Sequence, residues 1–361
     1  FVASGTLASG QTVALKTDGK VEAVSAVPES AGSSVVFEAA YSGDISSTFD
    51  SVNNKVVVVY RDNGNSDHGT AVVGTVSGTS ISFGTPVVFN TRYTQATECV
   101  YDSTAGKIVI AYGDWASASA ASGTAIVGTV SGTSISFGTA VTYRAASGSN
   151  TISYNTIAFD STNNKVVICY RDGMNSNYGT AIVGTVSGTS ISFGSAVVFE
   201  SATVIYISSA FDSNSGKVVI AYRDDASVFY YGTAIVGTVS GTSISFGSPA
   251  VFNAALTTYT STTFDSTNNK VVIAYTTNPL TGLSIVGTVS GTSISFGSAT
   301  TIHTAGSSYT AATYDSNANK VVIAYQDNGN SSYGTAAVIT VGSSNNTSFI
   351  GITSEAISSG A

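Results

Sequence analysis

The sequence predicts an all-β protein, a six-bladed β-propeller with four antiparallel strands in each blade. Three observations support this fold class. An eight-residue string recurs every 50 to 56 residues, a second motif occurs six times, and Gly, Ser, Thr, Ala and Val, the residues of strands and tight turns, dominate the composition. An N-terminal strand is expected to close the ring by completing the last blade. Seven blades and an open solenoid are the alternatives.

Both motifs mark the same repeating unit. The string Ser-Gly-Thr-Ser-Ile-Ser-Phe-Gly starts at Ser77, Ser131, Ser187, Ser240 and Ser290. The second motif is an aromatic residue and Asp, then four residues, then Lys and an apolar run. Its Asp and Lys residues are Asp50/Lys55, Asp102/Lys107, Asp160/Lys165, Asp212/Lys217, Asp265/Lys270 and Asp315/Lys320. A fixed period of this length is typical of an array of similar units.

Four strands, a to d, are predicted in each unit. In the fourth unit they cover residues 206–212, 217–224, 231–239 and 242–252. Strand b is apolar at every position from Val218 to Tyr222, which requires cover on both faces. One unit alone buries too little apolar surface to offset the entropy of ordering about fifty residues. We therefore expect each unit to fold only between neighbours.

The ends of the array suggest how it closes. The sixth unit has Gly342-Ser343-Ser344-Asn345-Asn346 in place of the hairpin that leads into strand d. Residues 33–38 resemble the fourth strand at 196–200, so they are predicted to complete the last blade and cover its edge. The predicted domains are an N-terminal β-hairpin and linker extension at 1–33, the propeller at 34–341 and a C-terminal extension at 342–361.

Composition excludes several function classes. The formal net charge is −8, with 21 acidic and 13 basic residues, so the chain should repel nucleic acid. No apolar run is long enough to span a bilayer, and no membrane insertion is expected. The two cysteines, Cys99 and Cys169, are too few for a disulfide scaffold or a zinc site and are predicted to be buried free thiols. No cofactor and no metal are expected.

A ligand site is predicted on the face formed by the b–c loops and the d–a links. The a–b and c–d turns are nearly uniform from unit to unit, whereas these loops and links differ. Variable loops on a rigid frame commonly carry recognition, and aromatic and Arg side chains form contact hot spots. Ordinary loop side chains that cover a blade edge are the alternative interpretation. The candidate residues are Trp115, Arg92, Tyr93, Arg144, Phe229, Tyr230 and His303.

Two sets of residues recur at the end of strand b. A carboxylate follows the strand in five units and could hold a cation or sugar hydroxyls, although the favoured interpretation is that each accepts backbone N–H groups in its own turn. The tyrosines two residues earlier are predicted core residues. The carboxylates are Asp62, Asp114, Asp172, Asp224 and Asp327, and the tyrosines are Tyr60, Tyr112, Tyr170, Tyr222, Tyr275 and Tyr325.

No catalytic constellation can be named. The two histidines, His68 and His303, lie in different units, and neither has a nearby nucleophile or metal-ligand spacing. Strand a carries mostly small residues, with Glu98 as the exception. The protein is therefore predicted not to be an enzyme, and a glycan-cleaving propeller that uses Asp62 or Asp114 is a minor alternative.

The repeat resembles known sequences. Units that contain Lys-Val-Val-Ile-Ala-Tyr-Arg-Asp and Tyr-Gly-Thr-Ala-Ile-Val-Gly-Thr-Val-Ser-Gly-Thr are similar to repeats of marine, cyanophage-like bacteriophage structural and tail-associated proteins. The resemblance covers residues 35–341, and residues 349–358 resemble a segment that follows such arrays. It implies a virion component that meets a host surface, and it assigns no binding residues.

The leading functional prediction is a non-enzymatic extracellular or virion-associated adhesion module that recognises cell-surface carbohydrate through the variable face. Its expected partners are a host cell-surface glycan or receptor and, through the termini, other virion, tail or surface proteins. A purely structural spacer or decoration protein of a particle or filament is the alternative.

Overall fold

A computed structural model describes residues 2–3, 13–15, 20–23, 34–117, 120–148, 150–278 and 280–342. The chain divides into two compact units, Phe1–Val35 with Val76–Ser82 and Val36–Thr75 with Phe83–Ala361. The first contains a three-stranded sheet of β1 (Val2–Ala3), β2 (Val13–Leu15) and β3 (Lys20–Ala23). In this sheet β3 is central, parallel to β1 and antiparallel to β2. The described residues include no helix that could cross a membrane.

The remaining strands follow the sequence repeat, copy by copy. The first two copies contribute β4 (Ser42–Asp50), β5 (Lys55–Asp62), β6 (His68–Ser77), β7 (Ser80–Phe83), β8 (Val87–Asp102), β9 (Lys107–Ser117), β10 (Ala120–Ser131), β11 (Ser134–Phe137) and β12 (Val141–Arg144). The next two contribute β13 (Ile152–Asp160), β14 (Lys165–Asp172), β15 (Tyr178–Ser187), β16 (Ser190–Phe193), β17 (Val197–Asp212), β18 (Lys217–Asp224), β19 (Tyr231–Ser240), β20 (Ser243–Phe246) and β21 (Ala250–Asn253). The last two contribute β22 (Thr257–Asp265), β23 (Lys270–Thr277), β24 (Thr281–Ser290), β25 (Ser293–Phe296), β26 (Thr300–His303), β27 (Ser307–Asp315), β28 (Lys320–Asp327) and β29 (Tyr333–Ile339). Short 3-10 turns occupy Asn63–Asn65 and Gly173–Asn175.

The predicted fourth strand is divided in two. In the fourth copy β20 and β21 both pair antiparallel with β19, with Ser245 opposite Thr238 and Val251 opposite Thr233. Between them lies Gly-Ser-Pro, three residues that face only Ile235 and Val236 of β19, so the ladder is interrupted here, as it is in copies with Ala in place of Pro249. The single strand expected at 242–252 is therefore two short strands on one edge of strand c.

Two of the predicted d–a links are continuous strands. β8 pairs with β6 of the first copy, where Val88 lies opposite Thr70, and then with β9 of the second, where Val100 lies opposite Val109. β17 joins the third and fourth copies in the same way. At these boundaries one strand serves as the end of strand d and as strand a of the next sheet, so it fixes the position of both sheets.

The core lies between successive sheets, as the apolar strand b requires. In β18, Val218, Ile220 and Tyr222 pack into a cluster with the third copy, whereas Val219 and Ala221 pack into another with the fifth. Each internal copy thus shares its two faces with two neighbours. The predicted core tyrosines Tyr60, Tyr112, Tyr170, Tyr222, Tyr275 and Tyr325 are all buried, which confirms that expectation. Cys99 and Cys169 are buried free thiols, also as predicted.

The closing strand is not present in the structure. Residues 34–38 are described but form no strand, and among the described strands only β28 pairs with β29. Phe37 instead packs against Tyr60, 5.1 Å between ring centroids, as Phe89 packs against Tyr112 in the next copy. This contact reproduces one half of the expected clasp. The other half would be a ladder with β29, where Val338 is exposed.

The contact between copies can be tested at a glycine. A Cβ at Gly247, which follows β20, would overlap the backbone carbonyl of Thr292 in the next copy, whereas a Cβ at the equivalent Gly297 meets no atom of the described residues closer than 3.9 Å. We expect Gly247→Ala to lower the free energy of unfolding by at least about 2 kcal/mol, because backbone atoms would have to move. Gly297→Ala should change it by less than about 1 kcal/mol. Urea unfolding of both variants measures this, and equal losses would contradict it.

Candidate functional site

The topology places the variable segments at one end of the sheets. Strands b end and strands c and a begin there, because all neighbours are antiparallel. We call this end the loop face and define it by the carboxylates that end strand b, which are Asp62, Asp114, Asp172, Asp224 and Asp327. The a–b and c–d turns lie at the opposite end.

Most of these carboxylates bind their own turns. Asp62 accepts a hydrogen bond from the amide of Asn65 at 3.1 Å, and Asp224 accepts one from Ala226 at 2.8 Å. Asp172 and Asp327 make equivalent contacts. Asp114 is the exception among the five, because it bonds to the side chains of Asn90 and Arg92. The described residues hold no group of three side chains that could bind a metal ion.

Three carboxylates also tie one copy to the next. Arg92 Nη1 lies 3.0 Å from Asp114, Arg144 Nε 2.9 Å from Asp172, and His303 Nε2 2.9 Å from Asp327. Each nitrogen donor comes from the end of strand d of one copy, and each carboxylate ends strand b of the following copy. Of the predicted site residues, Arg92, Arg144 and His303 thus hold copy boundaries together, and Arg92 still leaves 51% of its side chain exposed.

Two other predicted residues, Tyr93 and Trp115, meet at the boundary of the first two copies. Their ring centroids are 5.7 Å apart with the planes at 82°. Tyr93 is 39% exposed, and Arg61 donates to its hydroxyl at 2.9 Å. The indole N–H of Trp115 has no acceptor among the described residues. We call Arg61, Arg92, Tyr93 and Trp115 the aromatic corner. It combines ring edges with charged hydrogen-bonding groups, which suits a ligand with apolar and polar faces.

These residues were expected in loops but lie in strands. Arg92 and Tyr93 are part of β8, and Trp115 is part of β9, which extends farther than strand b of the other copies. A strand holds its side chains more rigidly than a loop does. The aromatic corner is therefore a preformed surface of the sheets.

Phe229 and Tyr230 belong to a different boundary. Both are exposed in the loop after β18, where Phe229 stacks on Tyr231 at 6.0 Å and Tyr230 lies 5.0 Å from the guanidinium carbon of Arg223. The predicted residues are thus distributed among several copies along the loop face. They do not converge on one pocket.

Sequence reasoning missed a row of tyrosines at the start of strand a. Tyr154, Tyr206, Tyr259 and Tyr309 each have a φ between 51° and 53°, which is rare for a bulky residue, and each stands at a β-bulge. Successive ring centroids are 5.6, 5.0 and 4.8 Å apart. We call these four residues the tyrosine row. Its sequence signal is a Tyr five residues before the aromatic-Asp motif, replaced by Asp44 and Ala96 in the first two copies.

Strand a of the second copy carries a carboxyl group where other copies have small residues. Ser46 donates a hydrogen bond to Glu98 at 2.9 Å. Burial raises the pKa of Glu98 to about 7, and the neighbouring Asp44 adds to this. Burial also raises the pKa of the Cys99 thiol to about 12, so this thiol stays protonated and unreactive at neutral pH.

Comparison with known proteins shows the fold. No protein-family model matches the chain, and no curated protein matches it. The structure is similar to a triple arginine-to-alanine variant of AofleA from Arthrobotrys oligospora, at a TM-score of 0.50 and 8% identity over 83% of each chain. It is also similar to a variant of Aleuria aurantia lectin in complex with alpha-methyl-L-fucoside, at a TM-score of 0.50 and 12% identity over 83% of this chain and 95% of that one. At these identities the likeness establishes a β-propeller fold alone.

The raised pKa of Glu98 predicts a pH-dependent stability. Its pKa in the folded protein, about 7, lies above the ordinary value of 4.5, so the folded state holds this proton more tightly. Stability should therefore fall as the pH rises through this window, by up to about 3 kcal/mol from this group. Glu98→Gln keeps an acceptor for Ser46 and should lose less stability between pH 5 and pH 8. Urea unfolding at both pH values tests this, and the same loss in both proteins would contradict it.

Proposed function

We propose that the protein is a non-enzymatic carbohydrate-binding module and that the aromatic corner contacts the sugar. The observation that carries the proposal is the exposed Tyr93 ring against Trp115, beside the exposed guanidinium of Arg92. A sugar ring has apolar C–H faces and polar hydroxyl edges. The exposed Tyr93 ring, which packs at 82° against Trp115, offers the first an aromatic surface, and Arg92 offers the second N–H donors.

Preorganisation supports this assignment. Tyr93 is held by its place in β8 and by the hydrogen bond that Arg61 donates to its hydroxyl. Arg92 is held by its ion pair with Asp114. Little side-chain entropy is therefore lost when a ligand binds. Because one protein of similar fold is a lectin in complex with alpha-methyl-L-fucoside, a fucoside is the first ligand to test.

The proposal includes a location and a partner. The module acts outside the cell or on a virion surface, where it meets a host cell-surface glycan. The resemblance of the repeat to tail-associated phage proteins supports the virion setting. Immunoblotting of purified particles tests it, and particles without the protein would reject that setting.

We also propose that the six copies form a closed ring, with residues 34–37 as the missing strand beside β29. The proposal is supported by the pairing register between strands c and d in the other copies. Thr180 of β15 pairs with Val198, two residues before Glu200, and Val36 stands in the same position before Glu38. Thr335 is the equivalent of Thr180 in β29. Closure would cover β29, whose Tyr333 and Val338 are now 62% exposed.

Binding at the aromatic corner predicts a large effect of two truncations. Trp115→Ala and Tyr93→Ala should each weaken binding of the best neutral glycan on an array by at least tenfold, since a central aromatic contributes more than about 1.4 kcal/mol. Val52→Ala removes a more exposed apolar side chain at the opposite end and should leave affinity unchanged. Binding of no neutral glycan, or equal binding by all variants, would refute the proposal.

Ring closure predicts a specific crosslink. With Val36→Cys and Thr335→Cys in one chain, mild oxidation should form an intramolecular disulfide, because directly opposed strand residues lie within disulfide reach. Val36→Cys with Val338→Cys is three residues out of register and should stay reduced. Mass spectrometry distinguishes the two products. Failure of the first pair, or equal oxidation of both, would mean that the proposed strand does not form.

A further inference from the structure

Arg171 differs from every other arginine of the chain. The other four each lie within 3.3 Å of a carboxylate, which is Asp44 and Asp67 for Arg61, Asp114 for Arg92, Asp172 for Arg144 and Asp225 for Arg223. Arg171 has no carboxylate partner among the described residues. In a chain with more acidic than basic residues, this leaves one cation on the loop face that the protein does not neutralise.

The first copy shows what is missing around Arg171. Arg61 occupies the equivalent position, and its charge is met by Asp44 at 3.0 Å and by Asp67 at 3.3 Å. The corresponding residues in the third copy are Tyr154 and Asn177. Asp67 and Asn177 have nearly the same backbone, with φ of 61° and 64°. The same backbone positions therefore carry carboxylates beside the guanidinium of Arg61 and uncharged side chains beside that of Arg171.

A hydrogen-bond acceptor is missing as well. Arg61 also donates to the hydroxyl of Tyr93, which lies opposite His68 at the end of β6. In the third copy the residue opposite Tyr178 is Thr203. No hydrogen bond from the Nη groups of Arg171 to any described residue is present, although guanidinium N–H groups ordinarily find acceptors.

Arg171 is nevertheless held in place. Its Nε donates to the hydroxyl of Ser153 at 2.8 Å, and its guanidinium carbon lies 5.0 Å from the centre of the Tyr154 ring. These two contacts fix the plane of the guanidinium while the Nη edge stays free. A fixed planar fork of N–H donors matches the paired oxygens of a carboxylate or sulfate.

The surroundings indicate what carries that anionic group. Tyr154 is the first ring of the tyrosine row, and Tyr206 follows at 5.6 Å, so an aromatic surface continues from the guanidinium along the loop face. The row stops on the other side, where the second copy has Ala96 and Gly113 in place of Tyr and Arg. A bulky tyrosine kept at a positive φ in four copies suggests that this row is used in binding.

We propose that Arg171 and Tyr154 form a second binding site, which takes the carboxylate or sulfate of an acidic sugar while the tyrosine row contacts the adjoining sugar rings. The site extends the proposed carbohydrate recognition to acidic glycans and is separate from the aromatic corner. In the first copy, Asp44 and Asp67 occupy the place of the ligand anion.

Calorimetry with three oligosaccharides tests the site. The ligands are a galacturonate oligomer, its neutral methyl ester and a carrageenan oligosaccharide, whose anionic groups are sulfates alone. The wild type should bind one or both anionic ligands at least tenfold more tightly than the methyl ester, and added salt should weaken that binding. The stronger of the two identifies the group as carboxylate or sulfate. Binding of neither, or equal binding of the ester, overturns the proposal.

Two variants assign the binding to Arg171. Arg171→Gln removes the charge, and Asn177→Asp supplies the internal carboxylate found in the first copy without touching the arginine. Both should weaken binding of the anionic ligand at least tenfold while thermal unfolding shows that they fold. Lys320→Gln removes one charge near the opposite end, beside Thr340, and should stay within twofold of the wild type. Wild-type affinity in either Arg171→Gln or Asn177→Asp would overturn the proposal.

The aromatic corner serves as an internal comparison. Trp115→Ala should lose the neutral glycan and keep the anionic one, whereas Arg171→Gln should do the reverse. If the neutral glycan binds nowhere but the anionic ligand binds through Arg171, the function proposed for the corner fails and the second site stands. If Trp115→Ala abolishes anionic binding as well, a separate second site is refuted.

Discussion

Each internal copy of the repeat depends on burying strand b from both sides. Val218 and Val219 are adjacent in β18, yet they pack into the cores of two different boundaries. Neither core exists without the neighbouring copy, so folding of one sheet is coupled to folding of the next. Aromatic contacts and ion pairs also stabilise the boundaries between copies, beyond the burial of apolar side chains. Examples are the contact of Phe199 with Tyr222 and the ion pair of Arg144 with Asp172.

The sequence predicted what burial and turn chemistry dictate. Three features could be predicted because each follows from local composition and a fixed period. They are the apolar run at 218–222, the buried tyrosines and the turns stabilised by Asp. The division of strand d was missed because the apolar residues on both sides of Gly-Ser-Pro have the pattern of one strand, and the same division occurs in copies with Ala in place of Pro249. The tyrosine row was missed because a Tyr at the start of a strand has the pattern of a core residue, and only the backbone shows its positive φ. The clasp at 34–38 was predicted in full, but only the Phe37 contact with Tyr60 is present.

The binding surfaces arise from exchanges at fixed positions on a constant frame. The residue after the buried tyrosine is Arg61, Arg171 or Arg223 in three copies and Gly113, Thr276 or Gln326 in the others. In every copy the apolar run of strand b that precedes this residue is kept. Chemistry at the loop face can therefore vary from copy to copy while the packing between copies stays the same, which is why a monotonous sequence can carry two distinct candidate sites.

The glycine after β20 makes a close contact that distinguishes the internal copies from the last one. Gly247 lies against the carbonyl of Thr292 in the following copy, whereas no described residue lies against Gly297 in this way, and the sixth copy has a different sequence in place of the hairpin string. A duplicated internal copy could join the array by recombination wherever a complete hairpin follows, and the tight contact would form again. The sixth copy could not be duplicated inward without leaving a gap beside that glycine. Lengthening of such a gene should therefore occur among the internal copies, with the terminal one inherited unchanged.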